Sequence, residues 1–162
     1  MRTLNEIEKT NVKDVASYFI KLSNPGTETS VSNLKLQKLL YYAQGFHHAI
    51  NEQELFEDRI EAWVHGPVVP SVYQEYKKYN FRDIPPSDVD APQLSDEVTE
   101  FLDDIWSLMK NFSGKELEEK THREKPWKDI RGDLPEFVYT NTPIPVDRIS
   151  KYFKENYFRK GD

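Results

Sequence analysis

Between Asn33 and Ile50 the chain carries apolar residues at most positions of a helix, and this constrains the fold more than any other feature. One stripe of them recurs at steps of three and four residues and comprises Leu36, Leu39, Leu40, Ala43, Phe46 and Ile50. Leu34, Tyr41 and Tyr42 widen that stripe. A helix with so broad an apolar face needs neighbours on more than one side, so we predict a central helix that Ser32 caps.

Gly45 lies inside this helix. A glycine there costs about 1 kcal/mol relative to alanine. We therefore expect a neighbouring backbone to approach the helix closely at this residue.

Several amphipathic segments predict further helices around the central one. A helix over 12–22 begins after Asn11, another lies within 67–79 with Pro67 or Pro70 in its first turn, and a third begins at Ser95. The apolar positions of this third helix are Val98, Phe101, Leu102, Ile105, Leu108, Met109 and Phe112. Ser113 and Glu116 form a capping-box pattern for a helix over 114–121. Pro126-Trp127 opens a short turn or helical piece, and a last helix covers 146–158.

Extended structure is predicted only in the middle of the chain. Leu55-Phe56 and Ile60 to Val64 are short β-like pieces that can pair as a small hairpin before the break at His65-Gly66-Pro67. Thr140 to Pro145 is predicted to be a loop. The fold class predicted is mainly α: a single compact helical domain over residues 1–162 with room for one small β-hairpin.

The composition favours a soluble protein. The chain of 162 residues has no cysteine, which excludes disulfides and thiolate metal sites and fits a reducing cytoplasm. Met1 to Asn11 is polar, so no signal peptide is expected, and no apolar run approaches the roughly 20 residues that span a bilayer.

Negative charge is concentrated in one segment. Between Arg82 and Asp104 there are eight acidic residues and one basic residue, which gives this segment a charge of −7. The chain as a whole has a net charge of −6, so the remainder carries only +1. Duplex nucleic acid is disfavoured as a ligand because its phosphates require a basic face. The segment is either a solvated loop with a helix start or a docking patch for a basic partner, to which Asp88 and Asp90 would contribute.

Motifs for catalysis are absent from the sequence. It has no clustered glycines for a phosphate, no Gly-x-Ser-x-Gly and no His-Glu-x-x-His. We predict no catalytic residue, no cofactor and no metal. The alternative is a metal-assisted hydrolase built from His65, His122 and an acid such as Glu61, whereas His122 near a helix end can instead bond free carbonyls of that helix.

Aromatic residues make up 13% of the chain, which is high for a small domain. Most are expected in the core, but tyrosine and tryptophan are also enriched among binding hot spots. Tyr41 is the best interface candidate, because it lies outside the main stripe of its helix.

Four blocks of this sequence together resemble the Panacea domain, the SocA-like antitoxin family. They are Leu36–Gln44, Glu61–Val69 with Tyr73 after it, Thr121-His122 with Pro126-Trp127, and Ile149 with Tyr152-Phe153. Within these blocks the motif residues are Leu36, Lys38, Leu39, Tyr42, Trp63, Gly66, Pro67, Tyr73, His122 and Trp127.

The resemblance implies a largely helical antitoxin domain of the kind found in toxin–antitoxin pairs and in prophages. It implies a cognate toxin as partner, held by direct protein–protein contact, and the acidic segment fits a basic toxin. The alternative function is an adaptor that delivers the toxin to an ATP-dependent protease. No catalytic residue follows from the resemblance.

Overall fold

The computed structural model describes residues 9–158 and confirms the mainly α fold class. Within these residues a small antiparallel sheet accompanies seven α-helices. The helices are α1 (Val12–Leu22), α2 (Asn33–Asn51), α3 (Pro70–Tyr76), α4 (Asp96–Met109), α5 (Gly114–His122), α6 (Lys125–Arg131) and α7 (Val146–Tyr157). The strands are β1 (Ile60–Trp63), β2 (Gly66–Val68) and β3 (Pro143–Ile144).

Helix α2 is central, as its apolar pattern predicts. It packs against α1, α3, α4, α5, α7 and β2, and every residue over 35–46 is buried. The Ser32 hydroxyl accepts a hydrogen bond from the backbone N–H of Lys35 at 3.2 Å, which confirms the predicted cap. Ile50 is exposed, so its inclusion in the buried stripe was wrong. The helices packed on α2 do not cover its last turn, where Ile50 lies.

Gly45 marks the place where α7 crosses α2. A Cβ atom at Gly45 would lie 2.5 Å from Phe153 Cε2 and 2.7 Å from Ile149 Cγ2. The close neighbour is therefore a pair of side chains and not the backbone that we expected.

The predicted starts of the other long helices are confirmed. The Asn11 side chain caps α1, and Ser113 and Glu116 form the complete capping box of α5. In α4 the buried positions are Leu102, Ile105, Trp106 and Met109. The predicted burial of Leu108 and Phe112 was wrong: α4 packs on α1 and α2 through a narrow stripe, and both residues lie outside it.

The hairpin uses only one of the two predicted β-like pieces. Strand β1 pairs with β2, in the register Trp63 with Gly66, and on its other side with β3. Leu55-Phe56 is not a strand, because Gln44 of α2 bonds both the N–H of Leu55 and the carbonyl of Phe56 at 2.7 Å. The segment predicted as a loop over 140–145 contains β3.

Across residues 9–158 no helix has both the length and the apolar character needed to cross a membrane.

Candidate functional site

Strand β2 of the hairpin lies on a buried lysine. Lys38 has no solvent exposure, and its ammonium donates to the carbonyl of Pro67 at 2.9 Å. Burial lowers the pKa of Lys38 to about 7, and the charge of Glu118 acts in the opposite direction. Gly66 has a φ of +105°, and a Cβ there would lie 2.8 Å from Thr121 Oγ1 and 2.9 Å from Lys38 Cε. Only glycine fits this position without displacing its neighbours.

Two amides of α2 fix the chain that follows the hairpin. The Gln37 side chain accepts from the N–H of Val69 at 2.9 Å, and the Asn33 amide donates to the carbonyl of Tyr73 at 3.1 Å. Asn33 and Gln37 also bond each other at 2.9 Å. These amides of α2 therefore set the position of the backbone between β2 and α3 and of the α3 turn that carries Tyr73.

His65 and His122 meet at Glu118. Glu118 Oε2 lies 3.0 Å from His65 Nδ1 and 4.0 Å from His122 Nε2. We expected His122 to bond the free carbonyls at the end of its own helix. Instead its ring stacks on Trp127, with ring centroids 4.0 Å apart, and burial lowers the pKa of His122.

Glu61, the acid that we considered for a metal site with these histidines, is engaged elsewhere. Its carboxylate accepts from Arg59 Nε at 2.7 Å and from Trp63 Nε1 at 2.8 Å. Over residues 9–158 no group of three or more histidine and acidic side chains is arranged to hold a metal ion. The geometry therefore gives the hydrolase alternative no support.

Another buried carboxylate, that of Glu124, connects α2 to α7. It accepts hydrogen bonds from Tyr42 at 3.0 Å, from Tyr41 at 3.5 Å and from Tyr157, and Lys120 Nζ lies 3.6 Å away. Burial raises the pKa of Glu124, and these donors oppose that rise. Tyr41 is fully buried in this group, so it offers no surface to a partner in this conformation.

The buried groups support a cluster of aromatic rings at the surface. Trp63 packs edge-on against Tyr73 with centroids 4.9 Å apart, and Tyr139 lies 6.4 Å from Trp63. Trp63 and Tyr73 are half-buried and Tyr139 is exposed. From beneath, the Trp127 indole donates to the carbonyl of Trp63 at 2.7 Å. We call Trp63, Tyr73 and Tyr139 the aromatic surface.

Asp88 and Asp90 lie away from these rings. Both are exposed and line a cleft bordered by α1 and α3, and the Asp88 carboxylate accepts from the Tyr79 hydroxyl at 2.7 Å. The structure leaves both carboxylates accessible, as a docking patch requires.

Sequence reasoning missed the buried charged residues Glu118, Glu124 and Arg131 and the exposed Tyr139. Each of the first three lies on or beside a helix whose charged positions read as solvent-facing. For the buried polar contacts of α2 one signal was available: Gln37 and Gln44 stand seven residues apart among the apolar residues of this helix, which puts two amides on one buried face.

Comparison with known proteins gives the class of this fold and site. The family model described as antitoxin SocA-like, Panacea domain matches residues 36–128, from α2 into α6. The chain belongs to this family. Antitoxin SocA of Caulobacter vibrioides (strain NA1000 / CB15N) is 29% identical to it over 139 residues, which cover 78% of this chain and 72% of that protein. No solved structure matches the chain. Membership in the family supports an antitoxin role.

Proposed function

We propose that this protein is a cytoplasmic antitoxin that neutralises a toxin by direct contact, without catalysis. Family membership supports the antitoxin role, and the observation that carries the contact mechanism is the aromatic surface. Aromatic rings held by a rigid support bind with a small loss of conformational entropy.

The supporting contacts suit this purpose. The Trp63 ring is held by the hydrogen bond from its indole N–H to Glu61, and the Tyr73 ring packs edge-on against it. The backbone carbonyls of Trp63 and Tyr73 are bonded by Trp127 and Asn33, so the chain that carries both rings is fixed before a partner arrives. A stable complex buries roughly 800 Å² on each partner. The aromatic surface would form the centre of such an area and the surrounding polar side chains its rim.

Co-expression tests the function. The protein encoded by the adjacent gene is produced in cells with and without this chain, and growth and co-purification are measured. We expect restored growth and a stable complex. Tyr73→Ala should weaken both, whereas Leu108→Ala, at an exposed apolar position of α4, should change neither. Absence of both rescue and co-purification with the wild-type chain would refute the proposal.

The half-life of the toxin separates masking from delivery to a protease. Masking predicts an unchanged or longer half-life in the presence of this chain. A shorter half-life that depends on a cellular ATP-dependent protease would support the adaptor alternative instead.

A further inference from the structure

Exposed apolar side chains are concentrated in one surface segment. Among the described residues eight large apolar side chains are exposed, and three of them, Leu134, Phe137 and Tyr139, fall within six consecutive residues. Phe137 is 81% exposed and Tyr139 is 65% exposed. Such a concentration of apolar side chains is unfavourable in water and typical of a binding site.

The backbone of this segment is held in place by a buried arginine. Arg131, at the end of α6, donates to the carbonyls of Pro135, Glu136 and Val138 and to that of Ala62 in β1. Its guanidinium also lies 4.9 Å from the centre of the Trp127 ring. We call residues 132–142 the arginine-held loop.

The far end of the loop is fixed as well. The N–H of Ala62 donates to the carbonyl of Thr142 at 2.9 Å, and a turn closes between Pro135 and Val138 at 3.0 Å. A loop fixed at its start, middle and end has little freedom to fold Phe137 back against the protein. These hydrogen bonds therefore keep the apolar side chains facing solvent, which lowers the entropy cost of binding.

The charge of the loop indicates the chemistry of its partner. Asp133 and Glu136 are exposed, and no basic residue lies over 132–142. Arg59, which precedes β1, is paired with Glu61 at 2.7 Å. An apolar centre with an acidic rim matches an apolar cleft with a basic rim. The loop also lies just beyond residues 36–128, the part of the chain that the family model matches.

We propose that the arginine-held loop is the element that recognises the toxin, with Phe137 and Tyr139 entering an apolar cleft that has a basic rim. This inference rests on the proposed antitoxin function. Phe137 is the central anchor, because it is the most exposed apolar side chain of the loop, and Tyr139 joins the loop to the aromatic surface.

The test is a competition assay on the immobilised product of the adjacent gene. Each unlabelled variant displaces labelled wild-type chain, and the displacement gives its Kd. We expect Phe137→Ala to raise Kd by about 30-fold or more, as loss of a hot spot does. Phe81→Ala is the matched control, because Phe81 is 90% exposed and lies outside the loop, and its Kd should stay within about twofold of wild type. Unchanged thermal midpoints would show that both variants are folded.

Charge reversal tests the partner chemistry. Asp133→Lys/Glu136→Lys should slow association about tenfold at low salt, and 0.5 M NaCl should remove most of the difference. If the wild-type chain binds and Phe137→Ala binds equally well, the loop is not the recognition element although the antitoxin function stands. Equal weakening by Phe81→Ala would also overturn the proposal. Failure of the wild-type chain to bind would overturn the function and this inference together.

Discussion

Lys38 donates to the carbonyl oxygen of Pro67 at 2.9 Å from a position where none of its side chain reaches solvent. The bond joins the centre of α2 to β2, the strand that pairs with the one carrying Trp63. An ammonium in such a place costs folding free energy unless it is compensated. Here the compensation comes from one carbonyl and from the nearby charge of Glu118.

This burial predicts a specific pH dependence of stability. The pKa of Lys38 is about 7 in the folded chain, against about 10.4 in an unfolded one. Between these values the unfolded chain holds a proton that the folded chain has lost, so the free energy of unfolding rises with pH, by at most about 1.4 kcal/mol per pH unit.

Lys38→Met isolates that effect, because the variant keeps an unbranched side chain up to the position of Cε and removes the titrating ammonium. Urea unfolding of both proteins at pH 6, 7.5 and 9 gives the difference in stability. We expect this difference to change little below pH 7 and to move in favour of the wild type at higher pH. A difference that stays constant from pH 6 to 9 would show that Lys38 does not titrate in this range.

Tyr157→Phe tests the attachment of α7. The variant removes the hydroxyl that donates to Glu124 and leaves the ring in place. Loss of a hydrogen bond to a buried charged group that keeps other donors should cost about 1–2 kcal/mol. Tyr152→Phe is the control, because Tyr152 lies on the same helix and its hydroxyl is not among the donors to Glu124. Equal costs for the two variants in chemical denaturation would contradict the assigned role of Tyr157.

Gly45→Ala tests the crossing of α2 and α7. Alanine favours an isolated helix by about 1 kcal/mol, so propensity alone predicts stabilisation. The new Cβ would lie 2.5 Å from the Phe153 ring, so we expect instead a loss of about 1–3 kcal/mol from overpacking. The second substitution Phe153→Leu, made in the Gly45→Ala background, should cost less than it does in wild type. A higher thermal midpoint for Gly45→Ala would disprove the tight crossing.

The helices could be predicted from sequence because their signals are local. Asn11, Ser32 and Ser113 each cap a helix through bonds within three residues, and the apolar period of three and four residues identifies the inner face. Local periodicity does not report where a helix extends beyond its neighbours. Ile50 and Leu108 continue their apolar patterns into solvent for that reason.

The site could be predicted only in part, because its contacts join distant segments. Lys38 and Gly66 were singled out through the resemblance to the family, but nothing in their local sequence predicts that one lies beneath the other. The partner of β1 was misassigned because β2 is only three residues long and contains Pro67. Arg131 was missed because a charged residue at a helix end is ordinarily solvated, and only the folded loop supplies the carbonyls that it bonds.

Reversal of Asp88 and Asp90 tests whether the acidic segment guides the partner. Both carboxylates are exposed, so Asp88→Lys/Asp90→Lys should fold normally and should slow association with a basic toxin about tenfold at low salt. Glu119→Lys/Glu155→Lys changes the net charge equally at two exposed residues outside the acidic segment and is the matched control. Stopped-flow association at two salt concentrations measures both. A larger effect for the first pair assigns the guidance to the cleft that Asp88 and Asp90 line, whereas equal slowing would assign it to the overall negative charge of the chain.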